Sequence, residues 1–180
     1  MKGITAVDKE AHFKQLLESN QDRIFRICCC YIRDEDERRD VFQNVLLQIW
    51  RNLDSFSGKS AITTWLYRIT VNVCLGHLRL SQRRMRVFSQ ESPDEGSSAC
   101  ADACRVSAPH ERDDDLRQLY ACIQQLPDLD KALVSLFLED ASTGEMAEVL
   151  GISEANVRVK LHRIKQALKQ LWAQNEYGSR

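Results

Sequence analysis

No proline occurs before Pro93, so the first 92 residues run without the residue that most firmly breaks a helix. An all-β chain needs frequent turn punctuation, and this one has only 7 Gly and 3 Pro in 180 residues. The pattern predicts an all-α fold built from long helices. Apolar residues recur at helical spacing from about Asp8 to Tyr31, at Phe13, Leu16, Leu17, Ile24, Phe25 and Ile27. Asp34 reads as an N-cap, with Glu37 three residues on completing a capping box. The helix it opens buries Val41, Val45, Leu46, Ile49 and Trp50, leaving Asp40, Gln43, Asn44 and Gln48 largely outside. After a short Ser/Gly loop over 52–59, a third helix runs from about Ser60 to Arg86 and buries Ile62, Leu66, Ile69 and Val73.

From Val87 to Arg112 the apolar period disappears and Ser, Ala, Asp and Glu dominate, together with Pro93 and Pro109. The composition predicts a flexible acidic linker. The chain therefore divides into a first helical domain over 1–88, a linker over 89–112 and a second helical domain over 113–180. In the second, Leu126-Pro127 ends one helix and starts the next, since proline is tolerated in a first helical turn. Leu129, Leu133, Leu136 and Phe137 mark that next helix. Two more follow, at about Thr143 to Leu150 and Glu154 to Gln174.

The formal charge of -1 conceals strong blocks. Between Ser55 and Gln90 there is no acid, while Lys59, Arg68, Arg79, Arg83, Arg84 and Arg86 are all basic. A second acid-free stretch, Asn156 to Trp172, carries Arg158, Lys160, Arg163, Lys165 and Lys169. Two separated basic faces suit a polyanion contacted at two places, although either alone could be a merely solvated surface. No apolar run is long enough for a membrane helix and no secretory signal pattern opens the chain, so a cytoplasmic protein is expected. The 7 cysteines are then expected as reduced thiols. Cys28, Cys29 and Cys30 read as small hydrophobes within a helix. Cys100, Cys104 and His110 have a spacing that could suit a metal, but three candidate ligands in a polar linker favour no metal and no cofactor. His12, His77, His110 and His162 lie far apart, with no nucleophile motif or phosphate loop, so catalysis is not expected.

The most specific local signal runs from Thr143 to Arg163. A helix-turn-helix needs a small residue where its helices cross, a turn residue tolerant of positive φ, and an apolar lock on the second helix. Ala147, Gly151 and Val157 provide these in order, and Ser153 is a natural cap. Val157, Leu161, Ile164, Leu168 and Leu171 would face inward. Asn156, Arg158, Val159, Lys160, His162 and Arg163 are then left to meet bases and phosphates. In the first domain, Trp65 and Tyr67 beside Arg68, with Phe56 on the preceding loop, could stack on unpaired bases. Arg79, Arg83 and Arg84 would meet phosphates, and Asn72 offers a donor and an acceptor to a base edge. For Trp65 a place in the core competes with that role.

On these residues the chain resembles the extracytoplasmic-function sigma factors of bacterial RNA polymerase. Asp40-Val-Phe-Gln-Asn-Val-Leu-Leu-Gln-Ile-Trp, Leu53-Asp-Ser-Phe-Ser-Gly-Lys-Ser and Thr64-Trp-Leu-Tyr-Arg-Ile-Thr-Val-Asn look like their region 2. Leu126-Pro-Asp-Leu-Asp-Lys and the helix-turn-helix look like their region 4. The resemblance implies that Asp40, Gln43, Asn44 and Gln48 dock on the β′ clamp helices of core polymerase, and that region 4 sits on the β flap. It implies that Asn52, Phe56 and Asn72 capture a flipped base of the -10 element, with Trp65, Tyr67 and Arg68 assisting melting. Arg158, Val159, Lys160, His162 and Arg163 would read the -35 element, and an anti-sigma factor is the expected regulator. Gly144 departs from the carboxylate that family members often carry there. Two other readings stand beside this one: a stand-alone LuxR-type regulator, and a thiol- or metal-responsive switch involving Cys28, Cys100, Cys104 and Cys122.

Overall fold

The computed structural model describes residues 6–91 and 111–178, with side chains over 8–84 and 114–174. The candidate ligands Cys100, Cys104 and His110 lie outside the described residues. The described chain is helical throughout: α1 (Ala6–Tyr31), α2 (Glu35–Asn52), a 3-10 turn (Leu53–Ser55), α3 (Ile62–Glu91), α4 (Glu111–Gln124), α5 (Asp128–Leu138), α6 (Thr143–Leu150) and α7 (Glu154–Gly178). The expected linker is thus helical at both ends, because α3 continues past Val87 and α4 already includes Glu111 and Arg112.

Local signals explain most of the boundaries. Asp34 caps α2, its carboxylate accepting from the Glu37 backbone N–H at 2.8 Å. The capping box expected there is only half made. The Glu37 carboxylate turns away and pairs with His77 of α3, Oε1 to Nε2 at 2.7 Å. The complete capping box lies instead at α6, where Ser142 and Glu145 satisfy each other's backbone N–H groups. Helix α5 ends in a Schellman turn: Asp140 takes φ 58 and donates to Phe137, and Ala141 donates to Leu136.

The first half of the core is Ile24, Ile27, Val41, Val45, Ile49 and Leu66, all essentially without solvent exposure. The second is Ile123, Leu133, Leu136, Met146 and Val157, equally enclosed. Each such aliphatic side chain contributes about 1.5–3 kcal/mol by leaving water. The α3 stripe expected from periodicity is incomplete: Leu66 is buried, but Ile62, Ile69 and Val73 are only half so. Tyr67, Thr70, Val71 and Cys74 are buried as well. The reason is that α3 packs on α1 and α2 along one flank and meets α6 along another. That second contact joins the halves, as does the packing of α1 on both α4 and α5. A sequence that separates into two domains thus folds with those domains in contact.

Candidate nucleic-acid interface

Helical geometry sorts the candidate residues of α3. At about 100° per residue, Trp65, Arg68, Asn72, Arg79 and Arg83 fall on one stripe within a 60° arc, roughly 27 Å long. Asn72, Arg79 and Arg83 are exposed, as is Arg84 on the adjoining flank. The stripe begins with an aromatic pair. Phe56 follows the 3-10 turn, its N–H held by the Leu53 carbonyl, and leans on Trp65 with ring centroids 5.3 Å apart. Both rings are half-buried, so packing accounts for part of each and leaves part of each open. Tyr67 lies elsewhere. It sits about 200° from Trp65 around the helix, is 3% exposed, and approaches Arg23 of α1. In this arrangement its ring cannot meet a base. Nor is Arg68 free: it donates to the Glu148 carbonyl of α6 at 2.8 Å. Asn52 ends α2 and donates its side-chain N–H to Gln48 at 2.8 Å.

The loop carrying Phe56 is braced from α1. Lys9 pairs with Asp54 and lies over the Trp50 ring, while Phe13 meets Trp50 edge-on at 5.1 Å. Lys9 and Phe13 were not expected in this role, and no local signal marks them, because their partners lie a helix and a loop away.

On α2, Asp40, Gln43 and Asn44 are exposed and Gln48 is half so. Leu47 stands among them, 50% exposed. The apolar period assigned to the core passes beside it, since Leu46 is half-buried and Leu47 is not. A leucine on a polar face is the residue that reading α2 as core versus surface missed.

The helix-turn-helix is assembled as its sequence predicts. Gly151 adopts φ 67 at the end of α6, a conformation costly for residues with a Cβ. Ser153 accepts from the Asn156 N–H at 3.3 Å, and Val157 and Ile164 are buried beneath α7. Opposite that core line stand Val159 (52% exposed), His162, Arg163 and Gln166. Gln166, absent from the expected set, bonds His162 Nε2 at 3.0 Å and has both groups needed for an adenine edge. Asn156 and Arg158 flank this line and are exposed, with Glu154 3.4 Å from the Arg158 guanidinium. Lys160 lies nearer the core side and reaches Asp130 of α5 at 3.3 Å.

Among the described residues the cysteines form no such surface. Cys28, Cys30, Cys74 and Cys122 are buried. Cys28 and Cys74 face each other with sulfurs 3.9 Å apart, and that hydrogen bond together with burial pushes the Cys74 thiol up. Among the described residues no three His, Cys, Asp or Glu side chains gather as a metal ion would require. Among the same residues no helix is long and apolar enough to cross a membrane.

A helix-turn-helix behind a second helical unit with its own aromatic-basic stripe is the architecture of a DNA-binding protein. Comparison with known proteins gives the family. The model of Sigma-70 region 2 matches residues 16–84, and that of Sigma-70, region 4 matches residues 116–168. The RNA polymerase sigma-H factor of Pseudomonas aeruginosa is 32% identical over 166 residues, covering 89% of this chain and 86% of its own length. The ECF RNA polymerase sigma factor SigW of Bacillus subtilis is 25% identical over 175 residues, covering 94% and 93%. In fold, the chain is similar to the sigma factor RpoE of Bartonella quintana, solved with the anti-sigma factor NepR. The TM-score is 0.66 at 20% identity, over 89% of this chain and 96% of that one. It is also similar to CnrH, solved with the cytosolic domain of CnrY, at TM-score 0.67 and 18% identity over 92% and 90%. The chain belongs to the sigma-70 family, in the extracytoplasmic-function branch of RNA polymerase sigma factors.

Proposed function

We propose that this protein binds core bacterial RNA polymerase in the cytoplasm, brings it to promoters through paired -35 and -10 elements, and promotes melting of the second. The observation that carries this is the pairing, on one chain, of a basic recognition helix α7 with the Phe56–Trp65 pair at the head of the α3 stripe. Duplex recognition uses α7: Arg163 and Arg158 offer forked donors to guanine edges or phosphates, and Val159 an apolar contact to a thymine methyl. Asn156, His162 and Lys160 line its flanks. Single-strand capture uses the α3 stripe, since an unpaired base can be read only after it leaves the stack. Phe56 and Trp65 supply the stacking surface, Asn72 the base-edge donor and acceptor, with Asn52 at the foot of the loop. Arg68, Arg79, Arg83 and Arg84 hold the backbone, and Tyr67 supports the helix that carries them. The first domain spans 1–88 and the second 113–180, with the acidic segment 89–112 between them; the region 2 match over 16–84 and the region 4 match over 116–168 support this division.

Asp40, Gln43, Asn44 and Gln48 form the face for the β′ clamp, with Leu47 as its apolar centre, and region 4 meets the β flap. An anti-sigma factor is the expected regulator, in keeping with the partner of the Bartonella quintana sigma factor RpoE. The chain needs no cofactor and performs no catalysis of its own. A stand-alone LuxR-type regulator would leave the region 2 match over residues 16–84 without a role. Size-exclusion chromatography with core polymerase tests the reading: the protein should co-elute with core, and Leu47→Asp should abolish co-elution while leaving duplex binding intact. Duplex binding without any association with core would refute it.

A further inference from the structure

The two halves are fastened by charge. Arg26 of α1 presents its guanidinium edge-on to Glu139 at the C-cap of α5, with Nε to Oε1 and Nη2 to Oε2 both at 2.7 Å. This is the bidentate geometry that makes Arg–carboxylate pairs strong and directional. The Glu139 side chain is only 2% exposed, although that of Arg26 is 49% exposed. Glu139 also stands at a helix C-terminus, where the backbone dipole disfavours an anion. Burial and dipole both oppose its charge, so this site depends on the arginine supplied by the other half of the chain. Beside it, Gln124 of α4 donates to the Cys29 carbonyl at 2.8 Å, satisfying one of the open acceptors in the last turn of α1. At the far end of the contact Arg68 donates to the Glu148 carbonyl and lies 3.4 Å from its carboxylate.

We infer that Arg26–Glu139, assisted by Arg68–Glu148, is a latch that holds the free protein closed and withholds Arg68 of the region 2 stripe from single-stranded DNA. Closure occupies Arg68 with a protein acceptor and sets α6 against α3, beside the Phe56–Trp65 platform. Contacts of this kind are reversible. Both carboxylates and both guanidinium groups regain water when the halves part, whereas a closed form lacking Arg26 keeps an uncompensated buried anion. A modest difference between two such states is enough to set the population that binds. The latch itself is a matter of this chain's geometry; what it withholds rests on the function proposed above.

The test compares full-length protein with Glu139→Arg, Glu148→Ala and the swapped double variant Arg26→Glu/Glu139→Arg. Asp36→Arg, the same change of charge at an exposed site, serves as control. Radius of gyration is read by small-angle X-ray scattering, and affinity with a fluorescein-labelled random single-stranded 20-mer. Glu139→Arg should expand the protein and tighten binding about five- to tenfold relative to Asp36→Arg. The swap should return both readings toward those of the parent. Glu148 is exposed, so Glu148→Ala should act in the same direction, more weakly and without any question of misfolding. An unchanged radius in both Glu139→Arg and Glu148→Ala would overturn the latch, whatever the DNA readings. Expansion with no gain in binding would keep the latch and refute its role in withholding DNA.

Discussion

Phe56 and Trp65 meet at a tilt, their ring planes 51° from parallel, so the loop after α2 is keyed to the first turns of α3 by one aromatic contact. The contact fixes where the loop ring sits while leaving part of it open. Phe56→Ala should therefore slow strand opening by an amount equivalent to about 1–3 kcal/mol, the worth of one base–aromatic stack. Association with core should be unchanged. Permanganate footprinting of the -10 region measures the first, and co-elution the second. Loss of core association would mean that Phe56 holds the domain together rather than a base.

The α7 residues should separate by their angle to the core. Arg158→Ala or Arg163→Ala should weaken binding to the -35 duplex by about 1–3 kcal/mol and relax preference at one position. Lys160→Ala should cost less, because its ammonium is already committed to Asp130. Fluorescence anisotropy on matched and singly mismatched duplexes separates these outcomes. Equal losses for all three would place Lys160 on the DNA as well.

Gly144 sits in the first turn of α6 with ordinary helical backbone, and a Cβ there would find its nearest neighbour, Glu154 Oε1, at 3.6 Å. That is normal van der Waals distance. Gly144→Ala should accordingly stabilise the protein by about 0.4–1 kcal/mol, as relief of glycine's conformational freedom predicts. Urea denaturation would register this as a higher midpoint with unchanged slope. A lower midpoint would show that the backbone there needs glycine.

The neighbouring capping box gives a pH dependence. The Glu145 carboxylate accepts from the Ser142 backbone N–H and hydroxyl, both at 2.8 Å, and these bonds hold its pKa below the ordinary value. A depressed folded-state value means that the stabilisation is fully present above the unfolded value, about 4.3, and is lost as pH falls through the folded one. Ser142→Ala should cost about 0.5–2 kcal/mol at pH 7. The gap between parent and Glu145→Ala should narrow progressively below about pH 4. A gap that widens on acidification would contradict the assignment.

The helices were legible because their apolar periods are long and their punctuation is local. Gly151 in the turn and Ser153 at the next cap each act within a few residues of themselves, and both stand where the sequence predicts. Glu37 departs from its local pattern for the opposite reason: its partner, His77, is 40 residues away on another helix. Tyr67 resembles a companion of Trp65 because only Leu66 separates them in sequence, but a two-residue step on a helix turns the side chain to the far side. The Ser142–Glu145 box is written in the sequence as a Ser-x-x-Glu pattern that overlaps the start of the helix-turn-helix signal. Arg26 and Glu139 could not have been paired from sequence, since only the packing of α1 on α5 brings them together.

Reconstituted transcription tests the central claim most directly. Core polymerase lacking any other sigma factor is combined with this protein and a library of promoter fragments, and the transcripts are sequenced. The account predicts transcripts that start downstream of a shared pair of -35 and -10 elements, lost when either element is scrambled. A core that stays silent across the library, while the protein alone binds duplex DNA, would contradict it.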